Sequence, residues 1–503
     1  MVRRVLLSVV GLFCLTGLVA AQAPDTLNGP PLYPDELSVT EHQVTVDGET
    51  IRYTATAGYL PLRQEDGTVQ AYVFFTAYTR NDATAAQRPI TYAFNGGPGS
   101  SSVWLHMGAL GPKRVEAVTG KTNATPPPHG VQDNPHSWLK FTDLVFIDPV
   151  TTGYSRAAKG TDASAAFHGV EADIASVARF IRLYTTRYER WISPKFLVGE
   201  SYGTTRAAGL AETLQEDHGM YLNGITLVSS VLNFQAYDFN VGNDLPYATY
   251  LPTYAATAHY HNELPAAQQQ KSLDQLLADA ERFAMNDYTL ALRKGDRLAD
   301  AKRQQIVDSL HAYTGLSRTF IENSNLRIHV FEFFKELLRA EDLTVGRFDS
   351  RFTGRDRRST GATPDYDPSY AVIRGAYTSA FNHYVRTELG FTTDLPYEIL
   401  TGRVWPWSYD TSENEYLNVA ERLRSAIHKN PALHVHVASG YYDLATPYFA
   451  SDYVLNHLQL AETYQDNISR SYYRAGHMMY LYQPALETLL ENAEAFYQQA
   501  LPE

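Results

Sequence analysis

From about residue 48 to 78, apolar and polar positions alternate around Ile51, Tyr53 and the run Ala71-Tyr-Val-Phe-Phe75, which predicts antiparallel strands. Ile90-Thr-Tyr-Ala-Phe94 is a short strand that runs straight into a Gly-rich loop. Asp143-Leu-Val-Phe-Ile-Asp148 is an unbroken apolar run ended by Pro149, the pattern of a strand buried on both faces. Val170, Ile174, Val177, Ile181 and Tyr184 then recur at intervals of four and three, forming one apolar face of a helix. Lys195–Val198 predicts the next strand, Ala207–Gln215 a helix, and Gly224–Val228 another strand. Strand alternating with helix predicts an α/β chain with a mainly parallel sheet.

The rhythm stops near Asn233. Residues 235 to about 395 are rich in Tyr, Asn and charged side chains, with helical patches at Leu273–Phe283 and Ile328–Leu338. It returns at Leu433–Ala438, a buried strand, and a last helix begins near Pro484. The expected organisation is therefore one α/β core in two parts, 22–235 and 396–503, interrupted by a mostly helical cap over 236–395.

Composition narrows the classes. With 503 residues, 44% hydrophobic and 19% charged, the chain has ample material for a large core and reads neither as disordered nor as a coiled coil. A formal charge of -13 without a long basic run argues against nucleic acid as a partner. Arg3 and Arg4, an apolar stretch from Val5 to about Val19, and small residues at Ala20, Ala21 and Ala23 form the three parts of a signal peptide over 1–21. No later stretch approaches the apolar length of a membrane span, so no stable membrane association is expected after cleavage. Cys14 is the only cysteine, and Phe13 before it does not suit lipid attachment. A mature chain without disulfides suits a bacterial periplasmic or secreted protein. Composition assigns no oligomeric state.

Gly199-Glu-Ser201-Tyr-Gly203 matches G-x-S-x-G, with a strand before it and a helical pattern after it. That is the context of a nucleophile elbow, in which a sharp turn lifts a serine above the sheet edge, and it predicts an α/β-hydrolase fold. A serine hydroxyl needs a base that is itself oriented by an acid, and this fold supplies them later in the chain in the order acid, then His. Asp443 lies just past the strand Leu433–Ala438, and His477 follows Gly476 in a loop before the final helix. The other histidines near the carboxyl terminus lie inside that strand (His434, His436) or in a helical stretch (His457). Asn95-Gly-Gly-Pro-Gly-Ser-Ser-Ser102 suits an oxyanion loop, with the N–H of Tyr202 as the second donor. No Lys-Ser/Thr follows these glycines as a phosphate loop requires, and no His pair at helical spacing implies a metal. No cofactor is expected.

Together with Asp143-Leu-Val-Phe-Ile-Asp-Pro-Val-Thr-Thr-Gly-Tyr-Ser155, these motifs resemble the serine carboxypeptidase family over roughly 45–235 and 400–500. The resemblance implies removal of residues one at a time from the carboxyl termini of peptides. It implies Ser201 as nucleophile, His477 as base, Asp443 as orienting acid, and the N–H groups of Gly97 and Tyr202 as oxyanion donors. It also implies that Asn95 and Glu200 bind the terminal carboxylate of the substrate. Glu200 can donate to a carboxylate only when protonated, so activity biased to acidic pH is expected. The chain departs from the family at Phe94, at Ser100, and at Ala109, where many members carry a second carboxylate-binding Glu. Trp104, His106 and Met478 are candidate pocket residues. The cluster Arg351, Arg355, Arg357 and Arg358 reads as a solvated loop, with contact to a substrate carboxylate as the alternative. Ester hydrolysis or acyl transfer by the same residues, and a non-catalytic binding protein of the same fold, stand as the alternatives.

Overall fold

The computed structural model describes residues 33, 37–116, 126–409 and 415–501. The expected signal peptide, with Cys14, lies outside these residues. The main sheet contains β1 (Ser38–Val46), β2 (Glu49–Arg63), β3 (Val69–Arg80), β4 (Ile90–Phe94), β5 (Asp143–Ile147), β6 (Lys195–Glu200), β7 (Gly224–Val228), β8 (His434–Gly440) and β9 (Ile468–Tyr473). Their spatial order is β1-β2-β3-β5-β4-β6-β7-β8-β9, and Arg156–Ala157 adds a short strand beside β3. β1, β2, β3 and β5 pair antiparallel, and every pairing from β5 through β4 to β9 is parallel. In β2, Ile51, Tyr53, Ala55 and Ala57 face the core while the residues between them are exposed or half-buried, so alternation marks this strand. In β4, β5, β6 and β7 every residue is buried, because helices cover both faces.

One face packs α1 (Val170–Arg187), α2 (Tyr202–His218) and α8 (Ala420–Lys429) against Tyr92, Leu197, Leu227 and Val437. The other packs α9 (Gln483–Ala500) against Ala93, Phe196, Val198 and Ala438. Between β7 and β8 lie α3 (Leu245–Tyr260), α4 (Leu273–Phe283), α5 (Asp300–Thr314), α6 (Val330–Glu336) and α7 (Pro368–Thr387). The helices α3 to α6 share a core of their own, built on residues such as Leu251, Leu276, Ile306 and Phe333. The expected cap of 236–395 does not pack as one unit. Ile373, Ala376, Tyr377 and Phe381 of α7 join the core beneath the sheet, together with Trp104 and Leu105. The apolar face of α7 is matched by that sheet-side surface, so its position follows packing and not its place in the chain.

Strand register sets up the site. Phe94 pairs with Gly199, Glu200 with Val228, Val228 with Ala438, and Gly440 with Tyr473. The carboxyl ends of β4, β6, β7, β8 and β9 therefore finish side by side, and each feeds a loop on the same edge. Asn95, Ser201, Asp443 and His477 all lie within four residues beyond one of these ends. Ligand sites of parallel α/β sheets form at this edge. Among the described residues, no helix is long and apolar enough to cross a membrane.

Candidate active site

Ser201 sits between β6 and α2 with φ 59° and ψ −128°, a strained backbone for a residue with a side chain. The surrounding chain leaves no room for larger neighbours. A Cβ on Gly199 would lie 2.2 Å from the carbonyl oxygen of Gly203, and one on Gly96 would lie 2.3 Å from the nitrogen of Tyr202. The Asn95–Ser102 loop thus rests directly on the elbow. Tyr202 is the first residue of α2, so its N–H is among those a helix leaves without an internal partner. Gly97 adopts φ +105°, which suits a residue without Cβ.

His477 Nδ1 lies 2.8 Å from Asp443 Oδ2, with both side chains fully buried. Asp443 Oδ1 accepts from the N–H groups of Ala445 at 2.8 Å and Thr446 at 3.0 Å, and the Thr446 hydroxyl lies 2.7 Å from Oδ2. Burial works to raise the pKa of Asp443, but His477 and the donors of Thr446 outweigh it, and the carboxyl titrates below its usual range. Burial works to lower His477, yet Asp443, helped by Glu200, holds it above its ordinary value against the opposing charge of Arg347. Phe348 stacks on the imidazole at 5.0 Å, and its carbonyl accepts from the His477 N–H. The ring is thereby fixed from its face, its backbone and its Nδ1.

On the other side, Asn95 Nδ2 donates to Glu200 Oε1 at 2.9 Å, and the Tyr480 hydroxyl donates to Oε2 at 2.7 Å. Burial pushes Glu200 up to about 7, against the lowering effects of His477, Tyr480 and Asn95. The difference from its ordinary value of 4.5 is worth about 3 kcal/mol in favour of the neutral form. Asn95 is itself held at three points. Its Oδ1 accepts from the N–H of Leu105, its Nδ2 reaches Glu200, and its carbonyl accepts from Arg206 Nη1 at 2.6 Å. Arg206 also pairs with buried Asp173 at 2.7 Å and lies over the rings of Phe94 and Tyr202. This pair locks the Asn95 loop onto α2.

Two cavities open beside Ser201. The first, about 340 Å³, is lined at its base by Asn95, Glu200 and His477 and along its walls by Trp104, Tyr370 and Met478. The second, about 330 Å³, is lined largely by rings, including Tyr202, Tyr237, Phe239, Tyr250 and Phe331. Ser201, Gly97, Pro98, Arg347 and Trp405 line both. A nucleophile placed between two recesses, with a His–carboxylate pair in reach of one of them, is arranged for acyl transfer from a substrate that fills both sides.

A family model described as serine carboxypeptidase matches residues 46–486. The chain belongs to the serine carboxypeptidase family. It is 29% identical over 175 residues to serine carboxypeptidase-like 50 of Arabidopsis thaliana, covering 34% of this chain and 33% of that protein. It is 31% identical over 157 residues to the pheromone-processing carboxypeptidase KEX1 of Saccharomyces cerevisiae, covering 29% of this chain and 20% of that one. These matched stretches thus span a third or less of either relative. The crystal structure of the yeast prohormone-processing carboxypeptidase superposes with a TM-score of 0.56 at 16% identity, over 89% of this chain and 91% of that one, which shows the shared fold.

Within this serine carboxypeptidase framework, Ser201, His477, Asn95, Glu200 and Gly97 gather at the first cavity, and Asp443 stands behind His477. Trp104 and Met478 line that cavity, but His106 does not. It is buried with Nε2 2.6 Å from the Tyr78 hydroxyl, and burial pushes its pKa down to about 3. The arginine cluster lies elsewhere: Arg351 pairs with Asp349, and Arg355 with Asp342. The cation at the site is Arg347, which carried no sequence signal beyond its closeness to that cluster. Tyr480, Thr446 and Phe348 were also missed. The last two belong to loops whose side chains acquire meaning only beside His477, whereas Tyr480 lies three residues past it and was within reach of a search of that loop. Among the described residues, no cluster of three His, Cys, Asp or Glu suits a metal ion.

Proposed function

We propose that the protein is an exported carboxypeptidase that removes single residues from the carboxyl termini of peptides through an acyl-enzyme on Ser201. The observation that carries this reading is the buried Glu200 carboxyl, held by Asn95 and opening on the same cavity as Ser201 and His477. A neutral carboxyl beside an amide donor is chemistry for binding a carboxylate, and it stands next to a nucleophile.

In this reading the leaving residue occupies the first cavity, with its terminal carboxylate on Asn95 and protonated Glu200. The ring-lined second cavity takes a bulky apolar side chain on the acyl side. Ser201 Oγ attacks the scissile carbonyl carbon while His477 Nε2 takes its proton, and Asp443 holds Nδ1–H and stabilises the imidazolium. The N–H groups of Gly97 and Tyr202 bind the oxyanion. Collapse of the tetrahedral intermediate breaks the C–N bond, and His477 returns the proton to the departing amine. Water then attacks the ester, again giving its proton to His477, and Ser201 is regenerated with release of the shortened peptide.

Binding of the terminal carboxylate is present while Glu200 is protonated and is lost as pH rises through about 7, whereas His477 must be neutral to act as base. The two groups influence each other, so both limbs of the profile belong to the pair. Peptide cleavage therefore falls off as pH rises above about 7, while substrates without a terminal carboxylate lack this alkaline loss. Export is supported by the order of basic, apolar and small residues over 1–23.

The test is release of free amino acids from a panel of blocked dipeptides across pH by the wild type and by Ser201→Ala. Single-residue release that falls by about 10⁶ in the variant is expected. Cleavage of esters alone, or peptide cleavage that keeps rising well above neutrality, would overturn the reading.

A further inference from the structure

Tyr480 plays no part in moving the acyl group, yet its hydroxyl holds the second oxygen of Glu200 at 2.7 Å. The side chain is fully buried, three residues beyond His477. It cannot swing aside, because its ring packs against Gly108 so closely that a Cβ added there would come within 2.5 Å of both this ring and the Tyr377 hydroxyl. The next residue is Ala109, also buried, which brings no acid to this side of the site.

We propose that Tyr480 is the positioning residue of the carboxylate-binding side: its hydroxyl fixes the Glu200 carboxyl and sets the pH at which the terminal carboxylate of the substrate is released, in the absence of an acid at position 109. This rests on the carboxylate-binding role proposed for Glu200. A pair of carboxyls sharing one site would titrate in two linked steps, because like charges resist ionising together. A phenol stays neutral across the working range, and burial raises Tyr480 further. Glu200 is then the carboxyl that titrates at the base of the cavity. The other groups acting on it are His477 and Asn95, which lower its pKa, and Asp443, which raises it. Tyr377 stands close enough to feel its charge and is itself influenced by Arg114, while Arg347 acts on His477. Donation from Tyr480 to the ionised carboxylate lowers Glu200, so losing the hydroxyl raises it.

The experiment compares wild type with Tyr480→Phe on blocked dipeptides ending in a free carboxylate and on the same peptides ending in an amide, with kcat and KM followed across pH. For the carboxylate substrates, the alkaline limb of kcat/KM is expected to move up by about one pH unit on loss of one charge-assisted hydrogen bond. At low pH, KM should rise about threefold with kcat unchanged, the looser carboxyl being worth less than one full hydrogen bond. The amide profile should not move. Tyr377→Phe, which removes a neighbouring phenol that makes no hydrogen bond to Glu200, should leave the limb in place. A limb that stays put in Tyr480→Phe, moves equally in both variants, or shifts equally for acid and amide overturns the assignment. A wild type that treats acid and amide alike overturns the role of Glu200 as well, so the two failures are distinct.

Discussion

Asp443 and Glu200 flank His477 and are both buried, yet their surroundings drive them in opposite directions. Asp443 meets two backbone N–H groups, a hydroxyl and an imidazole, and titrates below its usual range. Glu200 meets one amide and one phenol, and burial pushes it up to about 7. Burial acts to raise both, so the number and charge of the partners decides the outcome. A carboxyl surrounded by N–H groups and a cation partner stays ionised and can orient a base. One with two neutral donors can carry a proton and so offer it to another carboxylate. The comparison shows how one buried site holds two acids for two tasks.

The largest break in this contrast comes from Asp443→Asn. An amide replaces one acceptor by a donor and no longer holds Nδ1–H, so kcat should fall about 10⁴-fold, the size of effect seen when the equivalent acid of a protease triad is made an amide. Unchanged kcat in pre-steady-state acylation would show that the pair does not orient the base. Next in size is Glu200→Gln. The glutamine oxygen can face Asn95 Nδ2 while its amide faces the Tyr480 oxygen, which is able to accept, so the pocket tolerates it. Near pH 5, where Glu200 is already neutral, kcat/KM should stay within about threefold of the wild type. By pH 8 the wild type has lost about tenfold to ionisation and the variant has not, so their profiles should separate by that factor. Parallel profiles would refute a titrating Glu200. The smallest effect is expected from Thr446→Val, which keeps the volume but removes one donor from Asp443 Oδ2. A loss of about 1 kcal/mol, or roughly fivefold in kcat, should accompany it.

Local pattern carried much of the architecture. β4, β5, β6 and β7 were legible as short apolar runs, and the elbow because Gly199 and Gly203 serve a turn that tolerates no Cβ. β9 was not legible. Its Ile-Ser-Arg-Ser-Tyr-Tyr is mostly half-exposed at the sheet edge and owes its strand form to pairing with β8. Arg206 was hidden too, since an arginine inside a helical pattern reads as solvated until Asp173 and the Asn95 carbonyl come to meet it.

The amino-acid order by itself marked Ser201 and Asp443 just past recognisable strands and His477 in a Gly-led loop before the last helix, which made them candidates for nucleophile, acid and base, because turn chemistry is local. Only the tertiary structure decided that Tyr480 meets Glu200 opposite Asn95, that Arg347 lines both cavities, and that α7 packs beneath the sheet. Those contacts join segments far apart in the chain. They depend on strand register and on the shape of a closed core, and neither leaves a mark in any single stretch of sequence.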